Sequence, residues 1–293
     1  MTNPLYIVDV FAERPYAGNQ LAVVIGDRLS DKTMQQVAAE MNFSETTFVA
    51  PALAEDGSYP VRIFTPAREL SFAGHPILGT AWVLRQYVDR HSDGPLLLNL
   101  AVGQVAVAFE SSAGLGDVSW FRAPPAKLGA FCPREPMAAA LGLAATDIAD
   151  NSPIQQATAG ISAMIVPLRD LDALRRCRLD LAAYAPLAAQ GFPPLVYLYC
   201  HQTHQQDNDL SVRFFFEAHG IREDPATGNG ASFLGAYLLA HNVFGRDNLS
   251  LRIEQGHEVL RPSLVLLRAL RRGDEREVSV GGRVIPVLRG VLL

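Results

Sequence analysis

Two glycine-rich junctions constrain this chain more than any other feature: Phe72-Ala73-Gly74-His75-Pro76-Ile77-Leu78-Gly79-Thr80 and Glu223-Asp224-Pro225-Ala226-Thr227-Gly228-Asn229-Gly230-Ala231. Each opens a long apolar run, through Trp82, Val83 and Leu84 in the first and Phe233, Leu234, Tyr237 and Leu238 in the second. Glycine at the corner, with Pro76 one turn inside, marks a strand turning into a helix. An Arg-apolar-Phe-x-x-Ala string precedes each junction, Arg62 to Ala67 and Arg213 to Ala218. From the arginine to the first glycine is twelve positions in one half and fifteen in the other. A pattern built twice and since drifted is the simplest account.

Around these junctions lie short β-branched runs bounded by glycine, proline and asparagine: Leu5 to Phe11, Leu21 to Ile25, Val61 to Phe64 and Gly103 to Glu110. A helix opens after Ser30, a good N-cap, with Met34, Val37, Ala38 and Met41 at helical spacing. Gly114, Gly116, Pro124 and Pro125 break the pattern and predict a linker there. The second half predicts strands at Leu195 to Cys200, Leu210 to Phe216, Leu249 to Glu254 and Ser263 to Leu270, with a helix from about Gly230 to Ala240.

Several classes of function are disfavoured. The chain has 25 basic and 30 acidic residues and a formal charge of −5, so nothing favours nucleic acid or an anionic membrane. No apolar stretch approaches the roughly 20 residues of a membrane-spanning helix. The N-terminus lacks the basic start of a signal peptide, and Cys132, Cys177 and Cys200 are too scattered for a disulfide framework, which together point to a reducing cytoplasm. Lys32 and Lys127 are the only lysines, and neither adjoins a phosphate cradle as a pyridoxal-phosphate enzyme would need. Phe233 stands where the third glycine of a dinucleotide fingerprint belongs, and Gly160-Ile161-Ser162-Ala163-Met164 is only a near miss to a serine-hydrolase elbow. Cys200-His201-x-x-His204, in a polar stretch before Asp207 and Asp209, reads as a solvated hairpin tip, so no metal is expected. The expectation is cofactor-free chemistry on a small molecule.

The junctions supply the anchor for such a molecule. Uncapped N–H groups and the helix dipole favour a carboxylate by about 0.3–1 kcal/mol when exposed and about 2 kcal/mol when partly buried. Glycine admits a ligand close to the backbone, and Gly228-Asn229-Gly230 can form a concave nest of N–H groups. Asp224 can orient an amine or hydroxyl, or serve as a turn residue before Pro225. Glu45 is the only charge in Asn42-Phe43-Ser44-Glu45-Thr46-Thr47-Phe48-Val49, a predicted strand that places it on one face with Phe43 and Thr47. A carboxyl group in a low-dielectric cleft is raised toward neutrality and can take and return a proton.

Over its whole length the chain resembles the phenazine-biosynthesis F-type isomerase-like family, relatives by fold of diaminopimelate epimerases and proline racemases. The resemblance rests on D-V-F-x-x-x-P-Y-A-G-N-Q-L-A-V-V from Asp9, F-S-E-T-T-F-V from Phe43, F-A-G-H-P-I-L-G-T from Phe72 and E-D-P-A-T-G from Glu223. E-Q-G followed by R-P-S, Glu254 to Ser263, completes it. It implies an α+β fold of two pseudo-symmetric epimerase-like domains, each a curled, mostly antiparallel sheet around a central helix, with the ligand between them. The domains are expected at 1–117, joined by a final strand within 284–293, and at 125–277. The family's catalytic groups map to Glu45, His75 and Asp224, and its substrate-binding positions to Asn19, Gly74, Gly228, Asn229 and Gly230.

The resemblance further implies a cofactor-independent, metal-free, homodimeric isomerase of a small carboxylic acid, similar to trans-2,3-dihydro-3-hydroxyanthranilate isomerase. Asn229, where the phenazine enzyme is serine-like, and Leu260, where glycine is expected, leave the substrate open. A binding protein of the same fold without turnover is the alternative. Amino-acid racemisation is disfavoured, because the two cysteines of the racemases correspond here to Ala73 and Thr227.

Overall fold

The computed structural model describes residues 3–26, 28–89, 94–112, 114–216 and 221–293. Backbone packing divides them into two compact units, Met1–Arg122 with Gly281–Leu293, and Ala123–Val280. The predicted linker is itself largely a strand, Gly116–Arg122, so the chain changes unit between Arg122 and Ala123. Its glycines serve the turn before that strand, where Gly116 has φ +73°.

The first unit runs β1 (Asn3–Val10), β2 (Asn19–Ile25), α1 (Asp31–Met41), β3 (Glu45–Val49), β4 (Tyr59–Phe64), β5 (Glu69–Leu70), α2 (Gly74–Tyr87), β6 (Leu96–Leu100), β7 (Gly103–Ser112) and β8 (Gly116–Arg122). The second holds β9 (Lys127–Phe131), α3 (Arg134–Ala140), β10 (Gln155–Ala159), β11 (Ile161–Pro167), α4 (Leu171–Arg176), α5 (Leu181–Ala189), β12 (Val196–Cys200), β13 (Leu210–Phe216), β14 (Ile221–Asp224), α6 (Gly228–Ala240), β15 (Asn248–Gln255), β16 (Ser263–Arg272) and β17 (Glu275–Gly282). The last strand, β18 (Val284–Leu292), belongs to the first unit and pairs along the whole of β1.

The two units share one pairing pattern. In the first, β18, β1 and β2 are successively antiparallel, β2 is parallel to β3, β3 antiparallel to β4, and β4 antiparallel to β5 and parallel to β6, which is antiparallel to β7. In the second, β9, β10 and β11 are successively antiparallel and β11 is parallel to β12. Then β12 is antiparallel to β13, and β13 is antiparallel to β14 and parallel to β15, which is antiparallel to β16. Each parallel pair requires a crossover. Helix α1 corresponds to α4 and α5, and α2 to α6.

Helices α2 and α6 are the central helices. Helix α6 is buried at all but two of its residues and α2 throughout its first eight, as expected of apolar helices enclosed by sheet. Gly79 brings α2 close to its sheet, since a Cβ there would lie 2.5 Å from Leu21 Cδ2 and 2.9 Å from Val10 Cγ2. The other face of the first sheet is covered by α1, whose Met34 and Ala38 pack with Leu5, Val24, Phe48 and Phe64. Ser30 caps α1 as predicted, its Oγ accepting from Thr33 N at 3.1 Å.

The arginine strings are structural in both units. Arg62 binds Glu69 through Nε and one terminal nitrogen at 2.8 and 2.7 Å, and Arg213 binds Glu223 likewise at 3.0 and 2.7 Å. In each case the glutamate is paired with the phenylalanine two residues past the arginine, Phe64 or Phe215, whose ring lies under the guanidinium at 5.1 or 4.7 Å. Arginine and glutamate are seven residues apart in the first unit and ten in the second, so the drift of three falls wholly between them. Glu217 and Ala218, the end of the second string, lie outside the described residues.

Candidate active site

Ala73 and Thr227, the positions corresponding to the racemase cysteines, are the N-cap residues of α2 and α6. Neither side chain caps its helix, so the first-turn N–H groups, which by geometry have no intrahelical acceptor, face no side-chain cap from that residue. Gly74 and His75 begin α2, and Gly228, Asn229 and Gly230 begin α6. The three cysteines, all free and buried, lie elsewhere, and burial pushes each thiol up, Cys132 to about 11 and Cys177 and Cys200 to about 12.

In the first unit three predicted residues come together. Glu45 is the first residue of β3, and its Oε2 lies 3.3 Å from His75 Nε2, with side chains 15% and 6% exposed. On the far side of the imidazole, Asn19 Nδ2 lies 3.3 Å from His75 Nδ1. Which of the two groups donates in this contact is set by the ring tautomer. Burial pushes His75 down to about 3, a backbone hydrogen bond with Gln20 acting in the opposite direction, so the ring is neutral at ordinary pH. The pair is therefore a neutral imidazole against a carboxyl group rather than an ion pair, and the contact between Glu45 Oε2 and His75 Nε2 is not a hydrogen bond.

Secondary structure fixes this arrangement. Asn19 opens β2 opposite Val10, directly after the 11–18 turn. In that turn Phe11, Tyr16 and Gly18 all have positive φ, and Tyr16 N donates to the buried Asp9 carboxylate at 2.7 Å. Thr47 of β3 and Thr80 of α2 share a buried hydroxyl contact of 2.8 Å, which sets the strand carrying Glu45 against the helix carrying His75. The predicted alternation with Phe43 does not hold, because Phe43 precedes the strand and packs with the α1 cluster, while Thr46 and Thr47 on opposite faces are both fully buried.

In the second unit Asp224 ends β14, and its Oδ2 accepts a short hydrogen bond from Thr227 Oγ1. Gln255 completes the turn: its Nε2 donates to Asp224 O at 2.8 Å and Thr227 Oγ1 at 3.1 Å, and its Oε1 accepts from Thr227 N at 3.1 Å. Ser263 Oγ donates to Pro225 O at 3.0 Å. These contacts give E-Q-G and R-P-S a physical role that the motif alone did not disclose. Glu223, the other acid of the junction, is committed to Arg213. At Gly230 the missing side chain makes room for a ring, since a Cβ would lie 2.3 Å from Tyr197 Cε2. Tyr197 was not legible as part of this segment, because only tertiary packing brings β12 under α6.

Paired helix starts in two units of one topology, with a carboxyl group and a neutral imidazole at the first, belong to an epimerase-like α+β fold. The chain belongs to the family described as phenazine biosynthesis-like protein, whose model matches residues 8–290, and it is an isomerase. It is 34% identical to an uncharacterized isomerase of Mesorhizobium japonicum, over 99% of both chains. It is also 34% identical to trans-2,3-dihydro-3-hydroxyanthranilate isomerase of Pseudomonas chlororaphis, over 98% of both. The crystal structure of a Bacillus anthracis phenazine biosynthesis protein of the PhzF family shares the fold, with a TM-score of 0.91 at 24% identity, covering 100% of this chain and 99% of that one.

Proposed function

We propose that the chain isomerises a small unsaturated or cyclic carboxylic acid by moving one proton through Glu45. The observation that carries this is the Glu45–His75 contact of 3.3 Å beside a helix start without a side-chain cap. Glu45 takes a proton from one carbon, the double bond shifts, and the same carboxyl group returns a proton to another carbon, so no redox partner enters the balance. A neutral His75 leaves Glu45 a stronger base than an imidazolium would, and its Nε2, facing that carboxyl group, can hydrogen-bond a substrate hydroxyl. In the first unit Gly74, and in the second Gly228, Asn229 and Gly230, are assigned the recognition of a carboxylate through backbone N–H groups, and Asp224 that of an amine or hydroxyl. Asn19, in contact with His75 Nδ1, is assigned the positioning of that ring beside the substrate contact expected for it.

The Pseudomonas relative's name supplies the first compound to try, a dihydro-hydroxyanthranilate, and fold-level likeness alone does not choose among such acids. A cytoplasmic homodimer belongs to the same reading. The test incubates this compound and pooled small unsaturated acids with the chain in heavy water. Native protein is expected to incorporate deuterium into one of them, and Glu45→Gln to lose at least about 100-fold in rate. Equal exchange by both proteins removes Glu45 from the chemistry.

A further inference from the structure

Away from these residues, His204, Glu254 and His257 offer ligand atoms that all lie within 4.8 Å of one another. His204 comes from the turn between β12 and β13, Glu254 from the end of β15, and His257 from the turn that follows. Glu254 is 2% exposed yet surrounded by donors: His204 N at 2.7 Å, Gln205 N at 2.8 Å, Asn208 Nδ2 at 2.7 Å, Ser211 Oγ at 2.9 Å and His204 Nδ1 at 3.0 Å. These hydrogen bonds outweigh burial and hold the carboxyl group below its ordinary range, hence ionised. An ionised carboxylate only accepts, so the His204 proton sits on Nδ1 and Nε2 is the nitrogen left to coordinate. A carboxylate fixing one ring nitrogen so that the other can bind is the usual support of a metal-ligating histidine.

The His257 ring lies flat on that of His204, with centroids 3.7 Å apart and planes 4° apart. The contact gathers two imidazole rings beside one buried carboxylate, a donor set of the kind that holds a cation. The His204 side chain is 18% exposed, so solvent reaches it. The solvated-tip reading of this stretch therefore fails at His204, whose backbone and ring are both bound to a buried carboxylate.

We propose that His204 and His257 form a binding site for a divalent first-row transition ion of the zinc type, with Glu254 as the orienting carboxylate and compensating charge. Imidazole nitrogens select such ions over magnesium or calcium. Zinc–nitrogen bonds are about 2.0–2.1 Å, so loading asks the stacked rings only to fan apart by side-chain rotation, with water completing the shell. The ion would tie the 201–209 turn to the 256–262 turn, where a Cβ on Gly256 would lie 2.5 Å from Pro225 O in the segment that carries Asp224. This site stands independently of the proton-transfer assignment.

The experiment titrates zinc into the full, untagged, chelator-treated chain by calorimetry, with magnesium in parallel, and follows the melting temperature. One zinc per chain and a higher melting temperature are expected, with no magnesium binding. His204→Gln and His257→Gln should each weaken zinc at least about tenfold, while His201→Gln, whose ring packs on Phe244 at 5.4 Å, should not. Cobalt added to the native chain should show the visible spectrum of imidazole coordination, a reading that needs no variant. No saturable zinc binding, zinc binding unchanged in both variants, or cobalt that keeps its aqueous spectrum overturns the site.

Discussion

At the scale of single residues, the first unit is governed by a histidine that stays neutral. His75 is 5% exposed and held down to about 3, whereas an unfolded histidine titrates near 6.5. Between those values the unfolded chain binds a proton that the folded chain does not, so stability falls as the pH falls below about 6.5 and is fully present above it. The slope is at most about 1.4 kcal/mol per pH unit. Denaturant titrations at pH 6.5 and 5 should therefore show a drop in stability smaller by about 1–2 kcal/mol in His75→Gln than in the native chain. The difference between the two proteins isolates His75, because His201, His241 and His257 are also held down by burial and contribute to both. Equal drops would mean that His75 is protonated in the folded protein, and the neutral-imidazole role would fall. Glu45 and His75 were legible in the sequence as residues. Their 3.3 Å contact and the contact of Asn19 with the far side of the ring were not, because separations of 30 and 56 positions fix neither.

At the scale of elements, the two glycine-rich helix starts have the same position and different internal reasons. Gly79 lets α2 settle on β1 and β2, and Gly230 lets α6 settle on the Tyr197 ring of β12. An aromatic ring held by Phe214 at 5.1 Å cannot yield as a flexible chain end can. Gly230→Ala is therefore expected to cost about 1–3 kcal/mol in urea unfolding, and adding Tyr197→Leu should recover part of that loss. Additive losses would mean that Tyr197 is not what keeps the position small. Both helices were visible from their apolar runs, and α1 from its cap and spacing. The change of unit between Arg122 and Ala123 falls inside the stretch marked by Gly114, Gly116, Pro124 and Pro125, but the strand within that stretch was not legible, because glycine and proline punctuate strand turns as readily as domain boundaries. Helices α3, α4 and α5 were not distinguished, their short alanine- and leucine-rich runs lacking a clear apolar period.

At the scale of the whole molecule, one pairing pattern occurs twice, and the chain returns to its first unit only with β18. The proposed homodimer is a statement at this scale: light scattering should give twice the 31.8 kDa chain mass at working concentrations, and a single-chain mass throughout would remove it. The sequence by itself determined the duplication, the two central helices, the family and the residue types available for proton transfer, because periodicity, turn chemistry and motif order are local properties of a chain. Tertiary structure alone decided which glycine makes room for packing, which acid is committed to an arginine, that Glu45 and Asn19 flank the His75 ring, and that His204, Glu254 and His257 converge. Those outcomes depend on strand register and on burial, which appear only when segments tens of residues apart are brought within hydrogen-bonding distance.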